Sequence, residues 1–133
     1  MISFEDFKKV EMTVGEILSA EKIPDTDKLL KLSVGFGLIT IPVVTDITSS
    51  EEIVEVIEIQ EKREIRQIVS GISMYFPDCS VLVGKKCMFV TNLEPRMIRG
   101  FESNGMILAV STEDGKFSLL EPSAEIPAGT QAK

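Results

Sequence analysis

Residues 91–108 read TNLEPRMIRGFESNGMIL, a polar stretch that ends in a short apolar segment. It holds two arginines, two asparagines and a serine among apolar residues. The arginine guanidinium is planar and forked, which suits it to phosphate groups and base faces, and amide and hydroxyl groups can contact base edges. Gly100 and Gly105 would let the backbone approach a ligand closely. The competing interpretation is an ordinary loop with Met97 and Ile98 in the core.

The sequence around this stretch has a β pattern. Apolar and polar residues alternate from Leu30 to Val34, which is typical of a strand with one face in the core and one in water. Ser3 is expected to cap a short N-terminal helix, and Asp114-Gly115 predicts a tight hairpin. Strands are predicted at Val14–Ala20, Leu30–Val34, Ile65–Ser70, Met88–Leu93, Met106–Ser111 and Phe117–Leu120.

The number and spacing of these strands favour a small all-β barrel. A β-sandwich is the alternative, but about seven or more strands would strain a chain of this length. With 133 residues, we expect one domain that spans residues 1–133 and buries a sizeable core.

Residues 39–64 are the unusual segment. Two runs rich in β-branched residues flank Thr48-Ser49-Ser50, which predicts a hairpin, with Pro42 confined to an edge or a bulge. Glutamates recur about every three residues between Glu52 and Glu61, so a helix is the competing interpretation. An exposed edge in this hairpin could pair with a second subunit.

The charge distribution argues against a protein held to nucleic acid by bulk charge. The formal net charge is −7, and residues 1–65 carry 14 acidic and 7 basic side chains, whereas residues 66–133 carry 7 of each. Residues 84–101 contain four basic residues and one acidic residue. The basic residues are Lys85, Lys86, Arg96 and Arg99, and the acidic residue is Glu94. A local basic patch therefore persists on an acidic protein.

The reactive residue types are sparse. The chain has no histidine, which removes the commonest general base and the commonest metal ligand. Cys79 and Cys87 are too far apart in sequence for a close-spaced redox or zinc pair, and we expect two reduced, partly buried thiols. We therefore expect no metal, no cofactor and no catalytic residues.

Two observations bear on location. No apolar run approaches the ~20 residues of a membrane-spanning helix. The segment Met1–Asp6 lacks the basic start and apolar block of a secretion signal. We expect a cytoplasmic protein.

Three blocks of sequence resemble one known family. They are residues 4–17 (FEDFKKV and VGEI), residues 25–32 (DTDKLLKL), and residues 66–72 (RQIVSGI) followed by NLEPR through GMIL in residues 92–108. The chain thereby resembles the tRNA-binding domain found in free-standing tRNA-binding proteins, as the C-terminal or beta-subunit domain of methionyl-tRNA synthetases, and in EMAP-II-like cytokine precursors.

Residues 39–64 are not part of the family pattern, so their predicted hairpin is expected to be an insertion between strands 2 and 3. The resemblance implies a five-stranded OB-fold barrel with a short N-terminal helix. It also implies a non-catalytic tRNA-binding module, a homodimer built partly from C-terminal segments, and a possible methionyl-tRNA synthetase partner. In an OB-fold, the face of strands 2–3 and loops 1–2 and 4–5 bind nucleic acid. Carried over by position, the tRNA-binding residues are Lys28, Lys31, Arg66, Ser70, Asn92, Arg96, Arg99, Ser103, Asn104 and Met106.

One alternative of a different class shares the fold. CsaA-type export chaperones resemble this family and bind polypeptide in an apolar groove. The two arginines and the Ser-Asn-Gly-Met sequence match the tRNA branch better. An enzyme with a hidden carboxylate site is disfavoured by the absence of histidine and of paired acids in a predicted cleft.

Overall fold

A computed structural model describes the backbone of residues 1–49 and 52–133 and the side chains of residues 1–39 and 62–133. The described chain contains one short helix, two 3-10 turns and nine strands. In chain order they are α1 (Phe4–Phe7), β1 (Met12–Lys22), β2 (Leu30–Ser49), β3 (Glu52–Ser70), the 3-10 turns Ser73–Tyr75 and Cys79–Leu82, β4 (Lys86–Val90), β5 (Arg96–Ile98), β6 (Phe101–Ser103), β7 (Met106–Ile107), β8 (Ala109–Ser111) and β9 (Phe117–Leu119).

Strand β1 organises the sheet because its two edges have different partners. Its second half pairs antiparallel with the start of β2, and its first half pairs antiparallel with β4. Strand β3 continues on β2 and β7 continues on β4, so the order is β3-β2-β1-β4-β7. Both β6 and β7 also contact β3, which brings the two edges of the sheet together. The prediction of an all-β, OB-like barrel is confirmed.

The core follows directly from the alternation in the sequence. Every second residue of a strand faces the same side, so Leu30, Leu32 and Val34 are buried while Lys31 and Ser33 are only half-buried. The predicted cap of α1 is also present, since the Ser3 hydroxyl oxygen accepts a hydrogen bond from the Asp6 amide at 3.1 Å. The main buried cluster consists of Ile17, Leu30, Leu32, Val34, Phe36, Ile68, Ile72, Leu82, Cys87, Phe89, Ile107 and Leu119.

The hairpin predicted at residues 39–64 is present as a continuous extension of β2 and β3. Their pairing runs from Leu38 opposite Arg63 to Ser49 opposite Glu52, beyond an irregularity between Gly35 and Leu38. The helical alternative is wrong for residues 52–61, while the tip at Ser50 and Glu51 lies outside the described residues. Pro42 lies beyond the pairing of β2 with β1, where β2 has a partner strand on one side only, and edge strands are where proline is tolerated.

The C-terminal segment, residues 128–132, pairs with the first part of β1, which β2 does not reach. The Val14 amide donates to the Thr130 carbonyl, and the Gly129 amide donates to the Val14 carbonyl, both at 2.8 Å. Here the segment crosses β2 with almost no space between the backbones. A Cβ on Gly37 would lie 2.6 Å from the Ala128 carbonyl oxygen, so glycine is required at the crossing.

The two cysteines are free thiols, as predicted. Cys87 is fully buried in the core, and this burial raises its pKa from 9.0 to about 11. Cys79 is half-buried, and its sulfur lies 3.4 Å from the Ala20 carbonyl oxygen. Because the thiolate is the reactive form, Cys87 is chemically quiet at neutral pH.

The glycine crossing can be tested against a matched glycine. Gly37 and Gly115 both have positive φ (84° and 92°), but a Cβ on Gly115 meets nothing within 4 Å. We expect Gly115→Ala to cost about 1–2 kcal/mol of unfolding free energy from backbone strain. Gly37→Ala should cost about 1–3 kcal/mol more, because the C-terminal segment must shift. Urea denaturation of both variants measures the difference, and equal losses would contradict the close crossing.

Candidate nucleic-acid interface

Residues 93–105, which correspond to loop 4–5 of an OB-fold, contain a small hairpin of their own. Strands β5 and β6 pair from Arg96 opposite Ser103 to Ile98 opposite Phe101. The two residues between them, Arg99 and Gly100, have φ values of 51° and 84°, and turns with two positive φ values suit the twist of a two-residue hairpin. We call residues 96–103 the arginine hairpin. Its turn places Arg99 at an exposed tip.

Hydrogen bonds fix the arginine hairpin to the outer edge of β3. The Val69 amide donates to the Ser103 hydroxyl oxygen at 3.0 Å, and that hydroxyl lies 3.3 Å from the Gly105 carbonyl oxygen. The Asn104 amide donates to the Gln67 carbonyl at 2.8 Å, and Gln67 Nε2 donates to the Glu102 carbonyl at 3.0 Å. Since Ser103 is only 4% exposed, it holds the hairpin rather than facing a ligand.

Lys31 connects the outward face of β2 to the same hairpin. Its Nζ atom lies 4.9 Å from the centre of the Phe101 ring and 3.3 Å from the Glu21 carboxylate. A cation over an aromatic face contributes about 0.5–1 kcal/mol at exposed sites. The sequence-predicted residues on β2 and in loop 4–5 are therefore brought together.

Arg96 and Arg99 are the cations that the hairpin leaves available. Both are exposed, and among the side chains that the structure describes no carboxylate lies within 4 Å of either guanidinium. Lys28, in the loop between β1 and β2, is exposed in the same way. These three cations can pair with an anionic ligand without first breaking a described ion pair.

Arg66 is instead occupied by the protein's own groups. Its Nε and Nη2 atoms lie 2.7 and 2.6 Å from one oxygen of Glu64, and Nη1 donates to the Thr91 carbonyl at 2.5 Å. The guanidinium also lies 5.4 Å from the centre of the Phe36 ring. This half-buried cation stabilises the junction between β3 and the end of β4.

Asn92 is also committed to internal contacts. Its Oδ1 atom accepts from the Glu11 amide at 2.8 Å, and its Nδ2 atom donates to the Lys9 carbonyl at 2.6 Å. The side chain therefore fastens the segment after α1 to the barrel. Of the remaining predicted residues, Ser70 is half-buried opposite Leu30, and Asn104 is half-buried with no side-chain hydrogen bond to the described residues.

Other basic residues of the second half are tied to the C-terminal segment. Lys85 Nζ lies 3.2 Å from the Glu121 carboxylate, and Lys86 Nζ donates to the Ala124 carbonyl at 3.1 Å. The basic patch is therefore narrower than the sequence indicated, and it centres on the arginine hairpin.

Sequence reasoning missed Gln67 and Phe101. Gln67 is an exposed polar residue on β3, between the predicted Arg66 and the buried Ile68. That position in the strand could have identified it from the sequence. Phe101 carries no such signal, because its contact with Lys31 joins residues that are distant in sequence.

The described residues give no sign of other chemistry. They contain no group of three or more histidine, cysteine, aspartate or glutamate side chains arranged to hold a metal ion. Within the same part of the chain, every helix is too short or too polar to span a bilayer.

Comparison with known proteins identifies the family. The family described as "Putative tRNA binding domain" matches residues 48–131. A methionine–tRNA ligase of Methanospirillum hungatei is 42% identical over 132 residues, which are 99% of this chain and 16% of the ligase. The chain thus spans about one-sixth of the length of the curated relatives that it matches. The chain belongs to the tRNA-binding domain family.

Two solved structures share the fold of this chain. A structure described as a MetRS related protein from Pyrococcus horikoshii superposes with a TM-score of 0.75 at 34% identity, covering 100% of this chain and 98% of that one. The chaperone CsaA of Bacillus anthracis has a TM-score of 0.71 at 24% identity, covering 100% and 99%. The second likeness is one of fold alone.

The internal role of Asn92 predicts a stability effect. Asn92→Ala removes two hydrogen bonds, which should lower the unfolding free energy by about 1–2 kcal/mol and speed hydrogen exchange in residues 1–10. Asn104→Ala is the matched control, because its side chain has no described hydrogen bond. Thermal unfolding and exchange mass spectrometry measure both effects. If the two variants behaved alike, the hydrogen bonds of Asn92 would not hold the segment after α1 to the barrel.

Proposed function

We propose that the chain binds tRNA through the arginine hairpin and the adjoining face of β2 and β3, and that it carries out no covalent chemistry itself. The observation that carries the proposal is the pair Arg96 and Arg99, exposed on a hairpin that hydrogen bonds hold in place. Lys28 and Lys31 extend the surface toward loop 1–2. Ser103 and Gln67 hold the hairpin in position and do not themselves contact the RNA.

The electrostatics favour recognition of shape and phosphate over bulk attraction. The net charge of −7 repels RNA from most of the surface, so binding depends on a local cluster of cations. Phosphate contacts set position and orientation, whereas base edges carry sequence information. We infer that folded tRNA is recognised chiefly by shape.

The relatives support a place in protein synthesis. We propose that residues 1–133 form one tRNA-binding domain, with residues 39–64 as an insertion, that acts in the cytoplasm with a methionyl-tRNA synthetase. The proposal is motivated by relatives that are themselves methionine–tRNA ligases. Any ligase reaction would take place in the synthetase part and not in this domain.

We also propose a homodimer. Phe4, Phe7 and Val10 are exposed and line a cavity of about 400 Å³ with Met12 and the C-terminal Ala132 and Lys133. Apolar side chains exposed together mark an interaction surface. This one joins the N-terminal helix to the C-terminal segment that the family resemblance implicates.

We expect substitution of the two arginines to weaken tRNA binding specifically. Arg96→Ala with Arg99→Ala should weaken binding of total tRNA tenfold or more, and should flatten the salt dependence by about 0.7–0.9 per lost phosphate contact. The control is Lys9→Ala with Lys116→Ala, which makes the same charge change at two exposed residues paired with Asp6 and Asp114. Gel shifts at several salt concentrations measure both pairs. Equal weakening would mean that overall charge, and not the arginine hairpin, holds the RNA.

The dimer is tested separately. The chain has a mass of 14.7 kDa, and light scattering should give twice that value. Phe4→Asp with Phe7→Asp should return the protein to the monomer mass while its circular dichroism is unchanged, because both rings are exposed in the single chain. A monomer mass for the unaltered chain at micromolar concentration would contradict the proposal.

A further inference from the structure

A small cup lies beside the arginine hairpin, with a volume of about 180 Å³. Its apolar lining residues are Val69, Leu93, Ile98 and Met106, and the charged residues Glu94 and Arg96 also line it. Leu93 and Met106 are 46% and 47% exposed, which is high for large apolar side chains. Pockets for drug-sized ligands start at roughly 300 Å³, so this cup has room for one ring system and little more.

The cup is preformed. Ser103 at its floor is 4% exposed, with its hydroxyl hydrogen-bonded between the Val69 amide and the Gly105 carbonyl. At Gly105, with φ of 141°, a Cβ would lie 3.0 Å from Ile68 Cδ1 and 3.2 Å from the Val90 carbonyl oxygen. The floor is thus fixed against the barrel, and its hydroxyl is already engaged.

We infer that the cup takes one unpaired nucleobase of the bound RNA, with Arg96 on the adjoining phosphate. This inference rests on the proposed function and adds an apolar subsite to it. The apolar lining residues suit a flat ring, and the Arg96 guanidinium has no carboxylate partner among the described side chains. Because the Ser103 hydroxyl is already bonded to the protein, it is not free to read the edge of the base.

This chemistry separates the cup from the arginines in a measurable way. Contacts between bases and apolar or aromatic surfaces are sequence-tolerant, whereas cation–phosphate contacts depend steeply on salt. Loss of the cup should therefore lower affinity at every salt concentration by the same factor. Loss of the arginines should change the salt dependence itself.

The experiment compares Leu93→Ala with Met106→Ala against a control pair, Met74→Ala with Val83→Ala, whose side chains are exposed outside the cup. Three probes are used at several salt concentrations: total tRNA, a blunt RNA duplex without unpaired bases, and an unfolded polypeptide. The cup pair should weaken tRNA binding about tenfold with an unchanged salt slope, and should leave duplex binding as it was. The control pair should change neither.

The outcomes are distinguishable. If the unaltered chain fails to bind tRNA, the proposed function fails and the cup's ligand with it. If tRNA binding survives in the cup pair but fails in the arginine pair, the function stands and the cup assignment falls. Equal weakening on tRNA and duplex would overturn the assignment in favour of a disturbed hairpin. Loss of affinity for an unfolded polypeptide, with tRNA binding intact, would overturn it in favour of a peptide site.

Discussion

The outer edge of β3 needs hydrogen-bond partners, and the arginine hairpin supplies them. Strand β3 is the last strand of the sheet, so alternate backbone groups point away from β2. The Gln67 carbonyl and the Val69 amide are two such groups, and the Asn104 amide and the Ser103 hydroxyl satisfy them. The segment that displays the cations therefore also closes an exposed edge. The position of Arg96 and Arg99 consequently depends on the same bonds that complete the barrel.

This arrangement explains how an acidic protein can carry a cationic surface. Six of the 14 lysines and arginines form ion pairs with carboxylates among the described side chains, for example Arg66 with Glu64, Lys85 with Glu121, and Arg63 with Glu16 at 3.5 Å. Exposed ion pairs contribute little stability, commonly 0–1 kcal/mol. They do, however, reduce the attraction of those six groups for RNA, whereas Arg96 and Arg99 keep their full charge close together on one hairpin.

The sequence predicted the parts of the fold that follow from local pattern. Alternation from Leu30 to Val34 identified a half-buried strand, and Asp114-Gly115 identified the turn between β8 and β9. It did not reveal the hairpin within residues 96–103, because a three-residue strand has too few positions to show a period. The same limit applies to the site. Asn92 and Arg66 were grouped with Arg96 by their positions in the family pattern, which does not show that Arg66 pairs with Glu64 and Thr91 or that Asn92 bonds to Lys9.

The cup and the cations impose different requirements on a ligand. Two guanidinium groups on a fixed hairpin accept any polyanion whose phosphates have the right spacing, and A-form duplexes satisfy that condition widely. The cup has a volume of about 180 Å³. It accepts only a nucleobase that can unstack from its neighbours. A ligand that offers both together has phosphates in a folded backbone and a base that is already unpaired, as at the loops of tRNA. Selection for folded RNA over plain duplex then needs no base-edge contact, because an intact duplex would have to break a pair to fill the same cup.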